Sequence, residues 1–306
     1  MSPLTAVPAD QAARALRSPE ELHRRLAHWN HRRLSPALPS AAWREEVREE
    51  HEMRLLEGAF VEAFRGEIAD RAAEAPTEAD AFVAWFEQLK QVGPGQGDIL
   101  FPWLAEAADR EDMRWFLEQE AAGEAGFDDL VALTQVKVAP ARAKLELARN
   151  YWDEMGRGSE GGMHGPMLER TTQGLDLRPS IDGTVWESLA LANTMVAFAT
   201  TRRYTYQSIG ALGVVELTAP GRTACVAAGL KRLGAEPRHR KYFDLHAVLD
   251  VKHSEEWDAE VLHPIVAAQP EAARPLAEGA LMRLTCGARC FEAYRERLWN
   301  PLRLAV

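Results

Sequence analysis

The periodicity of the sequence constrains the fold of this chain more than any other feature. Ala, Leu, Glu and Arg dominate throughout, and no segment alternates apolar and polar residues at period two. These residues favour helices, and a half-buried strand would alternate at two. The sequence therefore predicts a protein that is nearly all α-helix.

Length and charge set limits on the class of protein. A chain of 306 residues with 46% hydrophobic residues can bury the core of one large domain, or of one domain with an extension. The net charge of −10 argues against nonspecific binding to nucleic acid or an anionic membrane. No apolar run reaches the ~18 residues that span a bilayer, the N-terminus lacks a secretory signal, and three cysteines are too few for a disulfide framework. We therefore expect a soluble protein of a reducing cytoplasm.

Proline and glycine divide the chain into helices. The clearest breaks are Leu34–Ser40, Val92–Asp98 and Gly156–Gly162. The last of these is glycine-rich like a phosphate loop, but no strand precedes it and no Lys-Ser/Thr follows, so it predicts a helix break. Pro220 and Gly221 predict another interruption, between a helix at about 205–217 and one at about 222–233.

Three polar residues stand on one face of a late helix. His246, Asp250 and His253 have the spacing i, i+4 and i+7, which places them within about 60° of one another. Apolar residues surround them, and a buried charge must be paired or bind a metal. This helix alone supports a metal site and an ordinary polar seam equally.

Glu216 lies in an uncharged run of small and aliphatic residues, 209–217. An ionised carboxylate in such surroundings costs several kcal/mol unless a cation or strong donors meet it. Glycines at 210 and 213 and Ala211 would let a neighbouring helix approach closely, so Glu216 would point into the interior. A buried ion pair with Arg202 or Arg203 explains its position as well as a catalytic or ligand role does.

Two further residues complete a set of imidazoles and carboxylates. Glu154 ends an apolar helix face, and His164 follows beyond the glycine cluster. Taken singly, each is explained more simply as a polar residue at a helix end. Imidazole and carboxylate ligands suit iron or manganese better than structural zinc, and two ferrous ions would leave a small positive excess over three carboxylates. The candidate ligands are Glu154, His164, Glu216, His246, Asp250 and His253.

Three stretches of the chain resemble a known family. They are 145–158 with Met163-His-Gly165, then Gly210-Ala-Leu-Gly-Val-Val-Glu-Leu217, then Tyr242-Phe-Asp-Leu-His-Ala-Val-Leu-Asp-Val-Lys-His253. Together they resemble the heme-oxygenase-like di-iron oxidase/oxygenase family, also called iron-containing redox enzymes, over about residues 100–295. Carried over position by position, the resemblance makes the six candidate residues iron ligands.

The resemblance also implies a fold and a domain division. The fold would be an all-α, heme-oxygenase-like bundle of about seven core helices without heme. Residues 1–75 would be an N-terminal helical extension packed on the bundle, and residues 76–306 the di-iron domain. Some members that insert oxygen use an extra carboxylate, and Asp128 or Asp129 lies about where it would be. An exposed acidic helix start explains these two residues more simply.

The chemistry implied is O2 activation at two labile Fe(II)/Fe(III) ions, with O2 as co-substrate and an external reductant. The substrate would be an amino acid, a fatty acid or a derivative, oxidised by desaturation, C–C or C–N cleavage, or N- or C-oxygenation, in bacterial specialised metabolism. Weak candidates for substrate contacts are Trp186, Arg202, Arg203, Tyr204 and Tyr206.

Two alternatives remain open at this point. One is a metal-free, thiaminase-like helical enzyme with Glu216 as a base, although Cys225, in an apolar helix, is not a well-placed nucleophile. The other is a non-catalytic helical binding protein whose buried polar cluster only fixes packing. The sequence leaves the substrate, the outcome of the reaction and the reductant undetermined. A homodimer is among the expected oligomeric states.

Overall fold

The computed structural model describes residues 18–299, and every regular element within that range is helical. The fourteen α-helices of this range are α1 (Pro19–Leu34), α2 (Trp43–Glu67), α3 (Ala69–Ala72), α4 (Ala79–Val92), α5 (Leu100–Glu106), α6 (Arg110–Gly123), α7 (Phe127–Thr134), α8 (Ala141–Glu154), α9 (His164–Gly174), α10 (Trp186–Thr200), α11 (Thr205–Arg232), α12 (Pro237–Trp257), α13 (His263–Ala268) and α14 (Ala273–Leu298). Short 3₁₀ turns lie at Gly156–Gly158, Glu160–Gly162, Arg202–Tyr204 and Pro270–Ala272, and one π-helical turn lies at Asp258–Leu262. The prediction of an all-α protein is confirmed.

Helix α11 lies at the centre of the bundle, packed between α12 and α14. Its contact with α14 depends on two glycines. A Cβ atom at Gly210 would lie 1.9 Å from the carbonyl oxygen of Leu276, and one at Gly279 would lie 1.9 Å from that of Gln207. The two backbones therefore touch directly. The close approach expected at Gly210 is present, and it holds the uncharged part of α11 in the core.

Pro220 does not interrupt α11, so the predicted division of this helix is wrong. Proline removes the N–H that would bond to the carbonyl of Glu216. The helix continues past this position, where the hydroxyl of Thr223 donates to the carbonyls of Ala219 and Pro220 at 3.0 and 3.1 Å. As a result, Glu216 and Arg222 stand on one continuous helix.

The glycine-rich segment after α8 reverses the chain within nine residues. Gly156, Arg157 and Gly158 all have positive φ, and a Cβ atom at Gly156 would lie 2.5 Å from the backbone carbon of Gly162. The break predicted here is confirmed, and its tight geometry explains the glycines. The reversal brings His164, at the start of α9, back to Glu154, at the end of α8.

The N-terminal helices share their core with the rest of the bundle. Side chains of α1 and α2 belong to the same buried cluster as those of α10 and α11, and Asn30 donates a 2.8 Å hydrogen bond to Asn193 across the interface. The domain division at residue 75 stays a prediction, and its first 17 residues lie outside the described range. None of the described helices is both long and apolar enough to cross a bilayer.

Candidate metal centre

All six candidate ligands are buried, and they come from four helices. Their exposed fractions lie between 2% and 6%. Glu154 ends α8, His164 begins α9, Glu216 lies in the middle of α11, and α12 carries the other three. Neither Arg202 nor Arg203 pairs with Glu216: Arg202 donates to carbonyls of the 133–136 turn, and Arg203 binds Glu62.

The first group of donors contains Glu154, His164 and His246, and one ligand atom from each lies within 4.8 Å of the others. Oε2 of Glu154 is 2.9 Å from Nδ1 of His164 and 3.7 Å from Nε2 of His246. Burial alone would raise the pKa of the Glu154 carboxyl, but the two imidazoles lower it. Glu154 is therefore held in its ionised form, which is the form that binds a cation.

The second group contains Glu154, Glu216 and His253, with the same spacing between its donor atoms. Nδ1 of His253 lies 3.7 Å from Oε1 of Glu154 and 3.4 Å from Oε1 of Glu216. The two oxygens of Glu154 thus face different groups. A carboxylate in this position can bridge two cations.

Asp250 lines the same cavity, of about 70 Å³, as Glu154, Glu216 and both imidazoles of the first group. Its Oδ1 is buried without a hydrogen-bond partner. Nδ1 of His253 also forms no hydrogen bond, although it lies 3.4 Å from Oε1 of Glu216. Burial, and then the charges of Glu216 and Glu154, raise the pKa of Asp250 to about 10. Buried groups normally have partners, so these two atoms indicate that the cluster suits a cation.

Protonated imidazoles supply part of the positive charge that a metal ion would bring to this cluster. Burial would lower the pKa of His164, but its hydrogen bond to Glu154 and nearby carboxylates raise the pKa to about 9. For His253, burial also acts downward, whereas Glu216 and Glu154 raise the pKa to about 9. Metal binding would displace these protons from the nitrogens that become ligands.

A layer of outer hydrogen bonds orients the donors. Nδ1 of His246 donates to the carbonyl oxygen of Tyr242 at 2.7 Å, which leaves Nε2 facing Glu154. Asn150 donates to Glu216 at 2.7 Å, and Asp153 lies 3.4 Å from Nε2 of His253. Partners of this kind fix the orientation of metal ligands. Sequence reasoning missed them, although Asn150 lies one helical turn before Glu154 and could have been found by spacing.

The possible extra carboxylate, Asp128 or Asp129, stays a prediction. Neither residue lines the cavity that five of the six candidate ligands line, and Asp129 borders a groove beside α1. The charge of Asp128 nevertheless contributes to the raised pKa of His164. Gly126, with φ of 74°, turns the chain so that Phe127 points into the cavity. Glu124 lines the cavity instead, with its Oε1 4.0 Å from Nε2 of His164.

The five weak candidates for substrate contacts lie elsewhere in the structure. None of the five side chains lines the donor cavity or the larger cavity beside it. Trp186 lines a surface groove by α1. Tyr204 and Arg203 donate hydrogen bonds to Glu62, and Tyr206 donates one to Gln269. Arg202 donates to backbone carbonyls.

Comparisons with known proteins agree with this fold. Two crystal structures of a CADD-like protein of unknown function from Nostoc punctiforme match with TM-scores of 0.53 and 0.51 at 17% identity. The matches cover 70% and 71% of this chain and 96% and 94% of theirs, and at this identity they show the fold alone. No curated protein matches the chain.

A family model described as iron-containing redox enzyme matches residues 114–288, a range that holds all six donors and more than half of the sequence. The chain therefore belongs to the iron-containing redox enzyme family and has the heme-oxygenase-like bundle that its sequence resemblance predicted.

Proposed function

We propose that this protein is a non-heme di-iron oxidoreductase that activates O2 to oxidise a small organic substrate. The observation that carries the proposal is the position of Glu154. Its two carboxylate oxygens face two separate groups of buried imidazole and carboxylate donors. A single ion would need only one of these groups, whereas a bridged pair uses both.

The donor set fits iron. Three carboxylates and three imidazoles are hard and borderline ligands, and none of the cysteines lines the cavity that holds the donors. Asp250 and His253 each place an unpartnered buried atom in the cluster, and these atoms would gain a partner in a cation. The six donors would hold the ions, with Glu154 shared and Glu124 nearby.

A bound iron pair supplies the two-electron reduction of O2, with electrons from an external reductant and the substrate. The protein's own residues prepare the site for that chemistry. Tyr242 lies against the donors, with its hydroxyl 3.2 Å from Nε2 of His164. Burial and the surrounding carboxylates raise its pKa well above 10, so the phenol keeps its proton and can donate a hydrogen bond. Phe127 and Val215 close the cavity with apolar surface and limit access of water.

A second cavity of about 140 Å³ adjoins the donors and would take the substrate. Five residues line both cavities, and they therefore form the boundary between them: Glu124, Val215, Ala219, Thr223 and Tyr242. A molecule in the larger cavity would meet the centre across this boundary. Binding sites of this kind are concave and mostly apolar, with few polar groups.

The test is an anaerobic Fe(II) titration of the metal-free protein, followed by measurement of O2 uptake with a reductant. We expect saturation at about two irons per chain and O2 consumption that needs iron. Glu154→Gln should lose most of both, and Glu160→Gln, an exposed change in the adjacent turn, should lose neither. Saturation at one iron or none, or a Glu154→Gln protein that behaves like wild type, would overturn the proposal.

The metal-free, thiaminase-like alternative has less support. Cys225 lines neither cavity, and Oε1 of Glu216 already accepts a hydrogen bond from Asn150. Substrate turnover that persists in the presence of a chelator would favour this alternative over the di-iron proposal.

A further inference from the structure

The larger cavity carries charged groups that the proposed chemistry does not use. Its walls are mostly apolar and include four phenylalanines, two of which, Phe101 and Phe291, meet edge to face with ring centres 4.8 Å apart. Arg222, Arg283 and Glu120 also line it. Charged side chains in such a cavity are costly unless a ligand or a partner compensates them.

Neither arginine forms a direct ion pair with a carboxylate in the described part of the chain. Within residues 18–299, no carboxylate oxygen lies within 4 Å of either guanidinium, and Arg222 donates a 3.0 Å hydrogen bond to the hydroxyl of Thr218. Burial, and then repulsion by Arg283, lower the pKa of Arg222 to about 9, so it remains a cation at neutral pH. Two guanidinium groups that face one apolar cavity form a site for an anion.

Glu120 offsets part of this charge. Tyr294 donates a 2.9 Å hydrogen bond to its Oε1, and its exposed surface faces the cavity. Burial raises the pKa of the Glu120 carboxyl, against the opposing effect of Tyr294 and the two arginines. Its second oxygen is free to accept from a ligand, and an ammonium group beside the bound anion would supply the donor.

Arg222 lies on the side of the cavity that borders the outer surface. Glu216 and Arg222 are six residues apart on α11, roughly 9 Å along the helix axis. Arg222 and Phe101 also border an outer groove at Gly95–Asp98, whereas Tyr242 and Val215 border the donors. A ligand anchored at Arg222 would therefore extend its uncharged part toward the centre.

We infer that the substrate is a small carboxylic acid with a compact apolar body, and that Arg222 and Arg283 bind its carboxylate. That the bound acid is the substrate rests on the proposed function, but the binding of the acid itself does not need metal. A cavity of about 150 Å³ accommodates a ligand the size of benzene, so the 140 Å³ here suits the apolar body of a compact acid. An α-amino acid and the corresponding acid without the amine would bind through the same carboxylate. Only the amino acid could also donate a hydrogen bond from its ammonium group to Glu120.

The experiment measures binding to the metal-free protein by calorimetry. The probes are phenylacetate, 4-methylpentanoate and the uncharged phenylacetamide. We expect one of the acids to bind at one per chain and phenylacetamide to bind at least about tenfold more weakly than phenylacetate, because a charge-assisted hydrogen bond is lost. Arg222→Gln and Arg283→Gln should each weaken acid binding by about tenfold or more, and Arg44→Gln, an exposed change on α2, should not.

Binding of L-phenylglycine tests whether the ligand is an amino acid or an acid without the amine. Binding tighter than that of phenylacetate, with the difference removed by Glu120→Gln, would assign an amino acid, and equal or weaker binding would assign an acid without the amine. If Arg222→Gln does not fold, Arg283→Gln and the amide comparison still decide the question.

Three results would overturn the inference: neither acid binds, the amide binds as well as the acid, or both arginine variants keep wild-type affinity. Iron stoichiometry is measured on the same variants and should stay at the wild-type value, because neither arginine is a donor. A protein that binds no iron but binds the acids through Arg222 would refute the proposed function and leave this site intact.

Discussion

The side-chain amide of Asn150 donates a 2.7 Å hydrogen bond to Oε1 of Glu216, and both groups are buried. Asn150 lies on α8 and Glu216 on α11, so this bond fixes one candidate ligand from a neighbouring helix. Asn150→Ala should lower Fe(II) affinity by about 10- to 100-fold, as is typical when an outer partner of a metal ligand is removed. Anaerobic titration with a competing chelator would measure the change.

The matched control for this prediction is Asn193→Ala. Asn193 bonds to Asn30 and to the carbonyl of His23, away from the donors. Its removal should lower the melting temperature without changing iron affinity. Equal losses of iron affinity in both variants would mean that Asn150 acts only through general stability.

Removing one donor from either group should leave one iron bound. His246→Ala affects only the group of Glu154 and His164, and His253→Ala affects only the group of Glu154 and Glu216. We therefore expect each variant to saturate at about one iron per chain, whereas a change at the shared Glu154 affects both ions. Iron content after anaerobic loading and desalting checks this. Complete loss of iron in both histidine variants would contradict two separable groups.

Asp250→Asn should leave the metal-free protein as stable as wild type, or make it more stable. The Asp250 carboxyl is buried, one of its oxygens has no partner, and the nearby charges of Glu216 and Glu154 disfavour its ionisation. Asp244→Asn, a change on the exposed side of the same helix, is the control and should change the melting temperature little. A loss of about 3–5 kcal/mol on Asp250→Asn would instead indicate a buried polar cluster that only fixes packing.

The contribution of Asp258 to the stability of the protein should fall as pH rises from about 4 to about 7. Burial, and then the charge of Glu87, raise the pKa of Asp258 from 3.8 to about 7. Between these values the folded state binds more protons than the unfolded state, so each increase in pH favours unfolding. The contribution is at most about 4 kcal/mol. Asp258→Asn should flatten this part of the pH profile in urea unfolding, whereas the exposed change Glu255→Gln should not.

Gly210→Ala should destabilise the bundle severely. The new Cβ atom would lie 1.9 Å from the carbonyl oxygen of Leu276, so α11 and α14 would have to separate. We expect a loss of several kcal/mol in the free energy of unfolding, as for other forced overpacking. Gly58→Ala, in the middle of α2 with no atom within 4 Å of the new Cβ, should stabilise by about 0.5–1 kcal/mol. Chemical denaturation of both variants would show whether backbone contact or helix propensity dominates.

Helical periodicity was sufficient to predict the all-α fold, because each amphipathic helix must bury one face whatever its neighbours are. It failed at Pro220, where packing on both sides holds α11 together across a residue that would break an isolated helix. It also could not place the possible extra carboxylate relative to the cavity. The turn at Gly126 directs Phe127 into the cavity and leaves Asp128 and Asp129 outside it, and spacing along the chain does not report that rotation.

The sequence by itself determined a set of candidate cation ligands. A carboxylate such as Glu216, in a run with no other charge, must find a partner inside the fold, and helical spacing alone sets His246, Asp250 and His253 on one face. Only the tertiary structure decided that Glu154 stands between two groups of donors and that Arg222 faces a cavity beside them. In both cases the residues lie on different helices, or far apart on one long helix. Their distances depend on how the whole bundle packs and not on any local pattern in the sequence.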